Sequence, residues 1–147
     1  MRLPAVVSVI ACLALLASGC AEDPQTDYCE VVEEHQTELS DIAASDDAGA
    51  IFGALDSYEE LEAEAPRDIA DDWAAVVEPL RGLEQVLTDE GVDPSSYVAD
   101  APPADLDAEG RAAIEAAARA VGSEQTVAAM AGVEQHALDV CGTPLSR

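Results

Sequence analysis

His35 and His136 are the only imidazoles in the chain, and with Cys12, Cys20, Cys29 and Cys141 they are the side chains best suited to metal or proton chemistry. Glu34 and Glu134 stand near them in sequence, so a metal site or a proton relay is the first chemistry to consider. If Cys29 and Cys141 meet, His35 lies about 9 Å and His136 about 7.5 Å from that junction, each along its own helix. Rotation opposes the pairing, because His35 falls roughly 120° round from Cys29 and His136 roughly 140° round from Cys141. The spacing therefore favours a core-edge His35 and a solvated His136, with metal ligation the weaker reading of both. The Glu-x-x-His pattern of bundle di-iron sites is absent, since Val32 and Val133 occupy the positions its glutamates would need. Nor is there an H-E-x-x-H, a G-x-S-x-G, a phosphate loop or a dinucleotide fingerprint. The sequence points to no catalytic set, no enzyme and no resident cofactor.

Carboxylates are the other abundant functional group. Glu59, Glu60, Glu62 and Glu64, the pair Asp71 and Asp72, and the loop acids Asp89, Glu90 and Asp93 could each attract calcium. None has the D-x-D-x-D-G spacing that wraps a cation in fixed oxygens, so they read as solvated helix faces. All 31 Asp and Glu follow residue 20 while Arg2 precedes it, which makes the chain beyond Cys20 even more acidic than the overall formal charge of −25. That field repels phosphate backbones, and nucleic-acid binding is excluded as a function class. It also disfavours flat adsorption to anionic lipid, so any membrane attachment has to be covalent.

Cys20 supplies such an attachment. Arg2 and the amino terminus precede an apolar run from Leu3 to Leu16, followed by Ala17, Ser18, Gly19 and Cys20. The run is shorter than the roughly 20 residues a spanning helix needs, and it reads as an export signal over residues 1–19. The stretch LLASGC resembles the cleavage box of bacterial lipoprotein signal peptides, with one departure: Ala17 stands where that family usually carries Leu, and Leu16 sits one place early. The resemblance implies that Cys20 takes diacylglycerol through a thioether and that palmitate-type acyl chains hold the protein on the extracytoplasmic face of the cell membrane. Two or three chains at about 0.8 kcal/mol per buried methylene anchor stably where one would be marginal. The lipobox, the D-Y-C that follows it and the closing A-L-D-V-C-G together resemble the small secreted lipoproteins of high-GC actinobacteria, a group that brings no assigned activity with it.

With Cys12 in the leader and Cys20 lipidated, Cys29 and Cys141 remain. Export places them in an oxidising compartment, where an even pair bridges by default, so a Cys29 to Cys141 disulfide is expected. Neither has a C-x-x-C partner or an adjacent base that would mark a redox-active thiol.

Apolar periodicity then sets the elements that position these groups. Residues 20–26 read as a polar tether with Pro24, and a helix is expected from Asp27, where Asp27 and Glu30 resemble a capping box, to Ala44. A second runs from Asp47 to Ala65. A third opens at Pro66 and ends near Gly91, with Trp73 on its apolar stripe and a kink at Pro79. Gly91 to Ala104 is a proline-rich connection that Tyr97 and Val98 pin to the core. A further helix spans Asp105 to Val121, and Ser123 caps a last one in which Val127, Met130, Ala137, Leu138 and Cys141 form the apolar side, ending at Gly142. Trp73 and Tyr58 read as core anchors. The expected fold is an all-α bundle of four or five helices over residues 27–147, its first and last helices antiparallel and stapled by the disulfide.

The function this supports is a membrane-anchored, non-enzymatic binding or accessory module whose acidic helical surface meets an unknown protein or envelope component. The alternative is a small-ligand or metal-ion carrier with an apolar pocket near Pro79. An exposed apolar patch over a solid interior would favour the first, and an apolar cavity with convergent polar groups the second.

Overall fold

The computed structural model describes residues 23–45, 47, 49–98, 101 and 103–146. The leader, Cys12 and Cys20 lie outside them. All described regular structure is helical, as expected: α1 (Pro24–Ala43), α2 (Ala50–Gly53), α3 (Leu55–Glu64), α4 (Ala70–Asp89), α5 (Ala108–Val121) and α6 (Glu124–His136), with a 3-10 turn at Pro94–Ser96 and a π turn at Ala137–Cys141. None of the described helices is long and apolar enough to cross a membrane.

α1 begins three residues earlier than the expected Asp27. Asp23 takes the cap position, its carboxylate accepting the Gln25 N–H at 3.1 Å, and Pro24 follows it at the first helical position. A capping carboxylate followed by a ring of fixed φ is a strong start signal, and it outweighs the polar composition that suggests a tether over residues 20–26. Tyr28, Val32 and Leu39 form the buried stripe.

The expected second helix is two. At Ala54 the N–H donates to Ile51 O at 3.1 Å, a tight turn that separates α2 from α3. The turn sends Phe52 into one apolar cluster and Leu55, Tyr58 and Leu61 into another. Gly49, just before α2, lies so close to the Ser95 carbonyl that a Cβ there would overlap it. The approach lets α2 pack on the 3-10 turn.

α4 starts at Ala70 instead of Pro66, because residues 66–69 form one separate turn in which the Ile69 N–H donates to Pro66 O at 3.0 Å. It runs through Pro79 as one helix, although that residue offers no N–H to the turn before it. α3, α5 and α6 all pack on α4, which makes it the central helix. Trp73, Val77 and Leu80 face the main cluster and Leu83 and Leu87 a second one, with Ile51 and Val121 touching both. The indole N–H of fully buried Trp73 donates to Tyr28 Oη at 3.1 Å, satisfying a polar group that would otherwise be stranded in the core.

In the connection after α4, Gly91 takes φ +72° and Tyr97 is buried, but Val98 is exposed and pins nothing. Tyr97 ends the 3-10 turn and Val98 lies beyond it. Asp107 caps α5 by accepting the Gly110 N–H at 2.8 Å, and Ser123 caps α6 by accepting the Thr126 N–H at 3.2 Å.

Cys29 and Cys141 are joined by the expected disulfide, which ties the first turns of α1 to the end of the last helical segment. Gly142 then adopts φ +68° and turns the chain back. Gln36 donates to Pro144 O at 2.7 Å, and Leu145, 1% exposed, plugs the main core.

Candidate functional site

Four places bear on function: the surroundings of His35, those of His136, the acidic clusters, and an apolar face of α6.

His35 is held between two helices. Its Nε2 donates to Glu60 Oε2 on α3 at 2.6 Å, while Nδ1 lies 3.6 Å from Glu38 Oε2 on its own helix. The same Glu38 oxygen accepts the hydroxyl of buried Ser57 at 2.8 Å. Hydroxyl, carboxylate and imidazole are therefore close, with the serine donating to the glutamate and not to the histidine, so that Glu38 is shared between Ser57 of α3 and His35 of α1. The arrangement is an inter-helix tie, and it agrees with the core-edge position expected for His35.

His136 departs from expectation. Its side chain is 12% exposed, with both ring nitrogens buried, so it is not solvated. Nε2 lies 3.4 Å from Asp68 Oδ2 without hydrogen-bond alignment, and the ring meets Tyr28 edge-on at 5.6 Å. The missed signal was tertiary: the turn at residues 66–69 lays Asp68 over α6, and Asp72, one helical turn further on, lies against Gly132. His35 and His136 take different partners and do not form a pair. Among the described residues, no group of three or more His, Cys, Asp or Glu side chains is arranged to hold a metal ion.

The acidic clusters serve partly as ties. Arg81 on α4 donates to Glu59 at 2.8 Å and lies 3.5 Å from Glu62, and these carboxylates hold its guanidinium pKa above the usual value. Glu60 is taken by His35, and Asp93 caps the 3-10 turn. The disulfide borders an open acidic concavity that includes Glu30 and Glu33.

The fourth place is apolar. Thr126, Ala129, Val133 and Ala137 form the buried side of α6 against α4. At 100° per residue, Val127, Ala131 and Glu134 share a different side of this helix, which continues into Leu138. Val127 is 61% and Leu138 47% exposed, so these two expected core residues lie at the surface. The cause is geometric: α3 and α6 both rest on α4 and do not pack closely on each other, leaving a trough between them. Its floor is Val76 and Leu80 of α4, its walls Ile51 and Tyr58 on one side and Val127 and Met130 on the other.

This concavity, about 190 Å³, adjoins a second of about 320 Å³ through Ile51, Tyr58 and Met130. The second adjoins a third of about 360 Å³ through Glu134, Leu145 and Ser146, and the third reaches Leu138. The three form one track along α6. Burial first, and then the charge of Glu134, raise the Tyr58 phenol above its usual pKa.

Cys20, the expected lipidation site, lies outside the described residues. Set against protein-family models, curated proteins and solved structures, the chain matches none of them.

Proposed function

We propose that this protein is a non-enzymatic binding or accessory module, held by acyl chains on Cys20 at the extracytoplasmic face of the cell membrane, and that it meets a protein or envelope component through the track along α6. The observation that carries this reading is the exposed apolar stripe of Val127, Ala131 and Leu138. Residues 125–133 of α6 contain no charged side chain, in a chain whose formal charge is −25. A stripe of exposed apolar side chains, broken at Glu134, in a chain this heavily charged is the usual mark of a contact site. The sequence suggested an acidic surface as the meeting place. The packing favours the least charged face instead, and the acids then act as solvating rim and field. A lipid anchor close to the start of α1 keeps the module near the bilayer, where a partner in the same layer would be at high effective concentration.

The second reading, a small-ligand or metal-ion carrier, draws support from the concavity floored by Val76 and Leu80, which flank Pro79. At about 190 Å³ it falls below the usual range for enclosing a drug-sized ligand, and its walls carry few polar groups to orient one.

The test is site-specific photocrosslinking in the native membrane, with the reactive side chain at Val127 in one variant and at exposed Gly82 in another. A discrete adduct from Val127 alone supports the contact site, and equal adducts from both positions remove it. Native mass spectrometry of the extracted protein separates the second reading, since a co-purifying small-molecule mass would favour the carrier. Intact mass measurement of the same extracted protein should find acyl chains on Cys20 at the start of the mature chain, and an unmodified Cys20 thiol there would overturn the anchor.

A further inference from the structure

We infer that the track along α6 receives a basic, aliphatic-anchored helical segment of another protein. This deepens the proposed function and rests on its assignment of the contact site. Three observations carry it.

The first is shape. From Val127 to Leu138 the track runs eleven residues, about 16 Å along the helix axis. That is three turns, and the three concavities follow at intervals of about one turn, linked at Met130 and at Glu134. A helix lying alongside would place side chains at i, i+4 and i+7 over successive concavities, which is the helix-in-groove mode of recognition. A flat sheet edge or a compact ligand would use only part of this length.

The second is charge. The ionisable side chains lining the central concavity, apart from Tyr58, are Asp47 and Glu134, both exposed carboxylates. None of the four described arginines, Arg67, Arg81, Arg111 and Arg119, lines any of the three concavities; Arg81 is paired with Glu59, and Arg111 and Arg119 donate to backbone carbonyls of their own neighbourhood. An apolar floor between acidic rims calls for aliphatic anchors flanked by Lys or Arg, and the field of the whole chain steers such a segment inward while repelling acidic ones.

The third is the exclusion of a second copy. Docking two tracks face to face would oppose Glu134 and Asp47 to their own counterparts and bring together two molecules of formal charge −25. Like charges facing each other across an interface cost several kcal/mol.

The test uses the protein from residue 20 onward carrying Cys20→Ser, free of both leader and acyl chains, so that peptides do not partition into micelles. Three synthetic 16-residue peptides are titrated: one with a leucine face and a lysine face, one with the same leucine face and glutamates, and one with the lysines but serines for leucines. The Leu/Lys peptide should bind with micromolar Kd, shift the methyl resonances of Val127 and Met130, and bind at least tenfold more tightly than either control. Val127→Asp should weaken it about tenfold, and Val127→Lys should weaken it while improving the Leu/Glu peptide. Val127 is exposed, so both variants should melt where the parent does.

Equal binding of the Leu/Lys and Leu/Glu peptides would overturn the basic partner and leave the contact site standing. Equal binding of the serine control, insensitive to Val127, would reduce the interaction to charge alone and overturn the contact site as well. No binding by any peptide overturns the inference. A parent that sediments as a dimer and becomes monomeric with Val127→Asp would assign the track to a second copy instead.

Discussion

Removing the Cys29 to Cys141 bridge should cost this domain a large part of its stability without abolishing the fold. The bridge closes a sequence separation of 112 residues. Constraining an unfolded chain with a loop of that order contributes about 4.7 kcal/mol by the chain-entropy estimate. Domains of this size have a total stability of roughly 5–15 kcal/mol, so the bridge is a major term. The ends it joins are also held by native packing: Tyr28, Val32 and Leu39 seat α1, while Val133 and Ala137 seat the last helical segment. Cys29→Ser with Cys141→Ser should therefore fold to the same far-ultraviolet circular dichroism spectrum. Interpolating between small and medium domains, each kcal/mol moves Tm by roughly 3–5 °C, so a fall of about 14–24 °C is expected. The reduced parent should melt at the same temperature as the double variant. Its urea m-value should rise, since the unfolded chain is released from its loop and exposes more surface. A Tm change below about 3 °C, or an unchanged m-value alongside a lowered Tm, would refute the argument that the bridge acts on the unfolded state.

Three further perturbations follow from the packing. Burial raises the pKa of the Tyr28 phenol, the hydrogen bond from Trp73 opposing it; the folded state thus keeps this proton longer than the unfolded chain, and stability present below about pH 10 should be lost as pH rises further. Tyr28→Phe should soften that alkaline loss only in part, because Tyr58 is raised as well, and should cost about 1–3 kcal/mol at neutral pH by stranding the Trp73 N–H; chemical denaturation at pH 7 and pH 10.5 measures both. Leu145→Ala, which empties the fully buried position closing the core between α1 and α6, should cost about 2–5 kcal/mol in urea denaturation, and a loss under 1 kcal/mol would mean that the returning segment does not seal the core. Gly49→Ala should destabilise, since its Cβ would run into the Ser95 carbonyl, whereas Gly82→Ala on the open face of α4 meets nothing and should stabilise by about 0.5–1 kcal/mol; thermal melts of the two should move in opposite directions.

The residues that were legible in the sequence are those whose behaviour is local. Ser123 announced a cap and Gly142 a left-handed end, and both do what their chemistry requires. Trp73 and the stripe around it were readable because a central helix is apolar at a 3.6-residue period whatever packs on it. The errors are equally specific. Val127 and Leu138 carry the same apolar signal as Val133, yet only Val133 finds a neighbour. His136 was placed in solvent by its helical angle, and a turn some 70 residues away in sequence covers it.

What the sequence determined by itself was the helical class, the cap at Ser123, the helix end at Gly142 and the pairing of two cysteines, because these depend on backbone propensity, periodicity and the count of reactive groups. The choice of which apolar face stays open was made by the tertiary structure. Periodicity marks a face as apolar, but whether that face is core or contact surface depends on how far apart two neighbouring helices come to rest, and here α3 and α6 both settle on α4 without closing on each other.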